Sequence, residues 1–126
     1  MNIELIDGLP FISVSISFRG QEITLSNVLI DTGSAGTIFK ADLLRNIGVY
    51  PESTDSTCAI RGIGGSEIVF FKTVNFLKIE DIQLDHFEIE VGEMNYGLEI
   101  NGILGFDFMQ LAGIIIDTEM LEIHKK

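Results

Sequence analysis

The chain is poor in the residues that pin a fold covalently or through a metal: one cysteine, two histidines and no tryptophan in 126 residues. Cys58 therefore has no intrachain disulfide partner, which agrees with a reducing compartment. It is a weak candidate nucleophile, because it sits at a predicted strand and only His86 and His124 are available as bases. Structural-metal spacing is absent too, so neither a metal nor another cofactor is expected. Positive charge is also scarce, with Lys plus Arg at 8 against 19 for Asp plus Glu, a formal charge of −11. Such a surface repels a phosphate backbone and argues against a nucleic-acid partner. It mildly favours a basic or neutral substrate, although solubility alone accounts for the acidity. No apolar run approaches the roughly 18 residues of a membrane span. Met1-Asn2-Ile3-Glu4-Leu5 lacks the basic start and long apolar stretch of a signal peptide. The expectation is a cytoplasmic protein with no membrane span in this chain; tethering through a longer natural chain stays open.

What is present is apolar and alternating. Hydrophobic residues make up 46% of the chain and mean hydropathy is +0.35, which fits one globular domain over residues 1–126. From residue 11 onward Ile12, Val14, Ile16 and Phe18 alternate with Ser13, Ser15 and Ser17, the pattern of a half-buried strand. Arg19-Gly20 predicts a turn, with residues 21–25 returning as its hairpin partner and 26–30 leading on as a further run. Leu43, Leu44 and Ile47 predict a short helix or irregular loop over 40–47, stopped by Gly48. Residues 49–55, with Pro51, read as a surface connection. Further strands are predicted at 57–61, 67–71, 74–79 and 86–91. In the last of these, Phe87, Ile89 and Val91 face inward while His86, Glu88 and Glu90 form a solvated acidic face. Met94-Asn95-Tyr96-Gly97 is a loop, 100–104 a short strand, 106–111 a short helix, and 114–116 with 121–124 a closing hairpin. The sum is an all-β sandwich or closed barrel with one or two short helices.

Three stretches carry chemistry. In the first, the apolar run Val28-Leu29-Ile30 ends in Asp31-Thr32-Gly33-Ser34-Ala35-Gly36-Thr37, delivering a carboxylate to a tight turn. Gly33 lets neighbouring atoms approach that carboxylate, and Thr32 and Ser34 add hydroxyls around it. Alone, the tetrapeptide reads equally as an ordinary turn. The second, Gly62-Ile63-Gly64-Gly65, is a hairpin tip with one apolar residue, which alone is merely a mobile loop. The phosphate-cradling G-x-G-x-x-G pattern is missing there, and a strand follows where that motif needs a helix. The third is Gly102-Ile103-Leu104-Gly105-Phe106-Asp107-Phe108-Met109.

In that order and spacing the three stretches resemble the retropepsins, the retroviral type of aspartic protease, over about residues 24–123. The resemblance implies a single-lobed protomer of a twofold homodimer that cleaves a peptide or protein substrate. Asp31 would be the catalytic acid and base, Thr32 would hydrogen bond across the dimer axis, and Gly33 would lie against the substrate backbone. Ser34 would adjoin the substrate, its hydroxyl stabilising the ionised carboxylates and moving the optimum toward acid. Gly62, Ile63, Gly64 and Gly65 would form the flap over the substrate, and Ile103 would line a specificity pocket. One chain supplies one suitable aspartate, because Asp117-Thr118 has Glu119 where a glycine is needed. A twofold axis supplies the second.

The sequence departs from retroviral members at two positions. Where they commonly carry an acidic residue and an arginine that pair, this chain has Ala35 and Phe106. The alternative reading is accordingly a protease-fold binding or dimerisation module with little activity; a domain cut from a larger regulatory chain is a third. The chain ends, residues 3–6 and 121–123, either interleave with a second subunit, as in retroviral relatives, or pair within their own.

Overall fold

The computed structural model describes residues 2–62, 65–95 and 99–126, without the side chains of residues 60–62 and 65. Ile63 and Gly64 of the expected flap tip, and Tyr96 and Gly97 of the expected loop, lie outside the described residues. In chain order the elements are β1 (Glu4–Ile6), β2 (Leu9–Phe18), β3 (Gln21–Ile30), β4 (Ile38–Lys40), α1 (Ala41–Leu44), a 3-10 turn (Arg45–Ile47), β5 (Thr57–Gly62), β6 (Gly65–Ile79), β7 (Ile82–Gly92), β8 (Gly102–Leu104), α2 (Phe106–Ala112), β9 (Ile114–Asp117) and β10 (Glu122–Lys125). Eight strands form one sheet in the order β1-β2-β3-β8-β4-β7-β6-β5, and a further β2–β6 pairing curls it into a ring. β9 and β10 make a separate two-stranded sheet. The fold is all-β, as the alternating patterns predict, ring-like rather than a regular barrel.

The period of two along each strand divides the core. Val28, Ile30, Phe39 and Leu104 point into the larger apolar cluster with Ile16, Leu44, Leu77, Ile89 and Phe108. Their neighbours Leu29, Ile38 and Ile103 turn the other way, into a smaller cluster with Phe11, Val69, Met94 and Ile100. β3 is one strand where two runs were expected. Leu25 lies opposite Val14 and Val28 opposite Ile12, so one extra residue is accommodated. Asn27 takes it up at φ +55. The bulge also docks the approach to β8, since Asn101 N donates to Asn27 O at 3.0 Å and Asn101 Nδ2 to Ser26 O at 2.8 Å. Arg19-Gly20 turns as predicted, both residues with positive φ, and Gly48 ends the helical segment at φ +81. The expected strands at 67–71 and 74–79 are a single strand, β6, running past a buried lysine.

That lysine anchors the connection leading into the β5–β6 hairpin. Lys72 Nζ donates to Glu52 Oε1 at 2.5 Å and lies 2.9 Å from Asp55 Oδ2, and Arg19 Nη2 reaches the same Glu52 oxygen at 2.8 Å. Desolvation pulls the ammonium of Lys72 down, but its hydrogen bonds to Glu52 and Asp55 outweigh this and hold it above its ordinary value. Hydrogen bonds from Lys72 in turn hold both carboxyls below their ordinary values of 4.5 and 3.8. Groups with depressed folded values stabilise the fold above their unfolded values and lose that contribution as pH falls through the folded ones. The melting temperature is therefore expected to drop as pH falls from about 5 to about 3, and Lys72→Met to flatten that slope, as read by thermal melts across a pH series.

In the single chain the two ends pair with each other and with β2. β1 pairs with β2, Ile3 N donates to Leu121 O at 2.7 Å, and Asn2 bridges to Glu122. Asp117 organises the β9–β10 turn, its Oδ1 accepting from Glu119 N and Met120 N.

Candidate active site

β3 carries Asp31 to the surface beside β8, with which it runs parallel from Val28↔Gly102 to Ile30↔Leu104. The last rung of that ladder fixes the loop, because Asp31 N donates to Leu104 O at 3.0 Å. The chain then turns sharply as Ser34 N bonds Asp31 O at 3.1 Å. Gly33 N donates to Asp31 Oδ1 at 2.9 Å, orienting the carboxylate. Asp31 is half-buried, and Thr32 and Gly33 after it are exposed, so the loop presents its catalytic candidates outward from a rigid base.

The far side of the loop is tied to α2. Ser34 O accepts from Phe106 N at 2.7 Å, and Ser34 Oγ donates to Gly36 O at 2.8 Å. The Ser34 hydroxyl, expected to act on the ionised aspartate, directs its proton at the Gly36 carbonyl in this chain and braces the loop. Gly105 admits this close packing: a Cβ there would stand 2.5 Å from the Gly36 carbonyl carbon and 2.9 Å from Ser34 O.

Two residues that motif reading passed over complete the brace. Thr37 is buried, its Oγ1 donating to Asp107 Oδ1 at 2.7 Å and accepting from Gly105 N at 3.0 Å. Asp107 Oδ1 also accepts from Phe108 N at 2.8 Å at the start of α2. A threonine six residues after the aspartate and an acid two after the motif glycine were the available signals. Thr37→Val keeps the shape but strands the Gly105 N–H and one carboxylate site. A loss of about 2–4 kcal/mol is expected in urea denaturation.

Ile103 is half-buried, opposite Leu29 on β3 and Ile38 on β4. Gly62 and Gly65 face each other as the last pair of the β5–β6 hairpin. Ala35 is exposed and Phe106 is 48% exposed, so the positions that pair in retroviral members lie at the surface without a buried charge between them. β4, absent from the sequence reading, carries Ile38 between β8 and β7.

The acidic face predicted on β7 is only partly solvated. Glu88 is exposed, but Glu90 is half-buried, its backbone N donating to Thr37 O at 2.8 Å and its carboxyl lying against Gly36. Desolvation raises the Glu90 carboxyl above the usual range, with the Asp107 and Glu88 charges adding to it. Among the described residues no group of three or more His, Cys, Asp or Glu is arranged to hold a metal ion.

A model of the aspartyl protease family matches residues 14–108, spanning the Asp31 loop, the hairpin and the Gly105 junction. The fold is similar to the crystal structure of a retropepsin-like aspartic protease from Rickettsia conorii. The two share 18% sequence identity over 96% of this chain and 93% of that one, with a TM-score of 0.68. No curated protein matches the sequence.

Proposed function

Since the chain belongs to the aspartyl protease family and has the retropepsin-like fold, we propose that it is a homodimeric aspartic endopeptidase acting through Asp31. The observation that carries this reading is the Asp31 loop: a half-buried carboxylate, oriented by Gly33 N and anchored to Leu104 O, with exposed Thr32 and Gly33 beside it. Cleaving a peptide with carboxylates and water takes one ionised acid to accept a proton from water and one protonated acid to polarise the carbonyl. The other aspartates near this loop or resembling it are engaged, Asp107 with Thr37 and Asp117 with its own turn. The second acid is then Asp31 of another copy, related by a twofold axis. Such a pair shares one proton and titrates as a unit, the behaviour established for aspartic-protease dyads.

In this mechanism the ionised member takes a proton from water, whose oxygen attacks the carbonyl carbon, while the protonated member hydrogen bonds the carbonyl oxygen. Collapse of the tetrahedral adduct breaks the C–N bond, and the amine leaves with a proton from the dyad. Thr32 serves the contact between the two loops and Gly33 the substrate backbone. The β5–β6 hairpin serves as the flap, excluding water from an extended peptide. The exposed, unpaired Cys58 suits a reducing, cytoplasmic setting. The alternative, a protease-fold binding or dimerisation module, draws support from Ala35 and Phe106 standing where an ion pair would strengthen the dimer.

A diverse peptide library incubated with the protein from acid to neutral pH tests the reading. Cleavage that rises more steeply than linearly with protein concentration at high dilution is the expected result. Peptide binding without cleavage at any pH would move the protein to the alternative.

A further inference from the structure

Resting on the protease reading, we infer that Glu90 is a specificity-determining residue, selecting a lysine or arginine side chain of the substrate at the outer end of the cleft. Glu90 stands where the Asp31 loop meets the root of the hairpin. It pairs with Ile38 of β4 on one side and Phe71 of β6 on the other. Gly36, with no side chain, leaves the space that the Glu90 carboxyl fills; a Cβ at that position would collide with Oε2. The carboxyl is thus held against the same loop that carries Asp31. Among the described residues no hydrogen-bond donor or cation reaches it, and the charged groups acting on it, Asp107 and Glu88, are both acidic.

The surroundings suit a particular shape of side chain. Residues two apart on a strand share a face, so Glu90 lies on the face of Gly92. A Cβ on Gly92 would touch Val69 Cγ1, Ile38 Cδ1 and the carboxylate oxygen Oε2 of Glu67. Ile38 in turn lies opposite Ile103, and both belong to or border the smaller apolar cluster. The surface beside Glu90 therefore combines aliphatic groups with the Glu67 carboxylate, and among the described residues no cation faces the Glu90 carboxyl. A lysine or arginine matches it, its methylene stem against the half-buried Ile103 and its cationic head at Glu90. An acidic side chain there would meet like charge, and a short neutral one would leave the carboxylate half-buried without a counter-charge.

The test uses peptides found to be cleaved in an Asp31-dependent way, varied one position at a time to lysine, norleucine or glutamate. Norleucine keeps the aliphatic stem and removes the charge. At one position the wild type is expected to favour lysine over norleucine by about tenfold in kcat/KM. Glu90→Gln is expected to bring that ratio to about one and Glu90→Lys to reverse it toward glutamate. The ratio compares two substrates on one protein, so a general loss of activity does not disturb it. Cleavage with no lysine preference at any position, or a preference that survives in Glu90→Gln, overturns the assignment while leaving the protease reading in place. If wild type and Asp31→Asn alike cleave nothing, the protease reading fails and this inference falls with it.

Discussion

Asp31→Asn is expected to remove peptide cleavage, by up to about 10⁴-fold, while leaving the fold intact. The substitution is isosteric, and the asparagine Oδ1 still accepts the Gly33 N–H that now reaches Asp31 Oδ1 at 2.9 Å. The backbone bond from residue 31 to Leu104 O does not involve the side chain at all. What disappears is a group able to take and return a proton. The expected pattern is a melting temperature within about 2 °C of wild type together with lost turnover. Mixing adds a second reading. If each active site uses one Asp31 from each of two chains, excess variant captures wild-type subunits in inactive pairs. Activity then falls with the square of the wild-type fraction, whereas a site complete within one chain gives a linear fall. Full cleavage by Asp31→Asn would sink the assignment of Asp31.

Gly105→Ala is the largest expected effect on stability from adding a single methyl group. Gly105 has φ −90, so its backbone conformation is open to any residue and the constraint is space alone. The new Cβ would press on the carbonyl of Gly36 and on Ser34 O, all backbone atoms with no rotamer to move away. Either the Asp31 loop separates from α2, breaking Phe106 N→Ser34 O and Gly105 N→Thr37 Oγ1, or the strain stays in place. A cost of about 3 kcal/mol or more follows, near the upper end for overpacking. For a chain of this size that lowers the melting temperature by roughly 10–15 °C. Because the strain falls on the aspartate loop, turnover is expected to drop further than the fraction unfolded explains. A variant with wild-type melting temperature and turnover would show that this junction is looser than its packing indicates.

Much of the fold could be read from local pattern. Ile12, Val14, Ile16 and Phe18 are buried, as their alternation with serines requires, although Ser17 is buried with them. Positive φ at Arg19, Gly20 and Gly48 follows the turn signals, and α2 covers the apolar run after Gly105. The expectation failed where partners far apart in the chain decided the outcome. β4 has three residues, too few to show a period, and exists because β7 and β8 flank it. β6 continues through Lys72 because Glu52 and Asp55 neutralise a charge that, read locally, breaks an apolar strand.

The same division runs through the candidate site. Sequence by itself determined the chemical identity of the parts: an aspartate delivered by an apolar strand to a glycine turn, a glycine-rich hairpin, and a hydrophobic pair before Gly105. Each of these depends on residues within a few positions of one another, where φ preference and side-chain period act. Only the tertiary structure decided how they are held. It set Asp31 against Leu104 by parallel pairing, turned the Ser34 hydroxyl to Gly36, and brought Thr37 to Asp107 across seventy residues. It also converted Glu90 from a solvated strand residue into a half-buried carboxylate on the Asp31 loop. Burial and register are properties of packed neighbours, and a strand's own alternation cannot say which of its polar residues another element will cover.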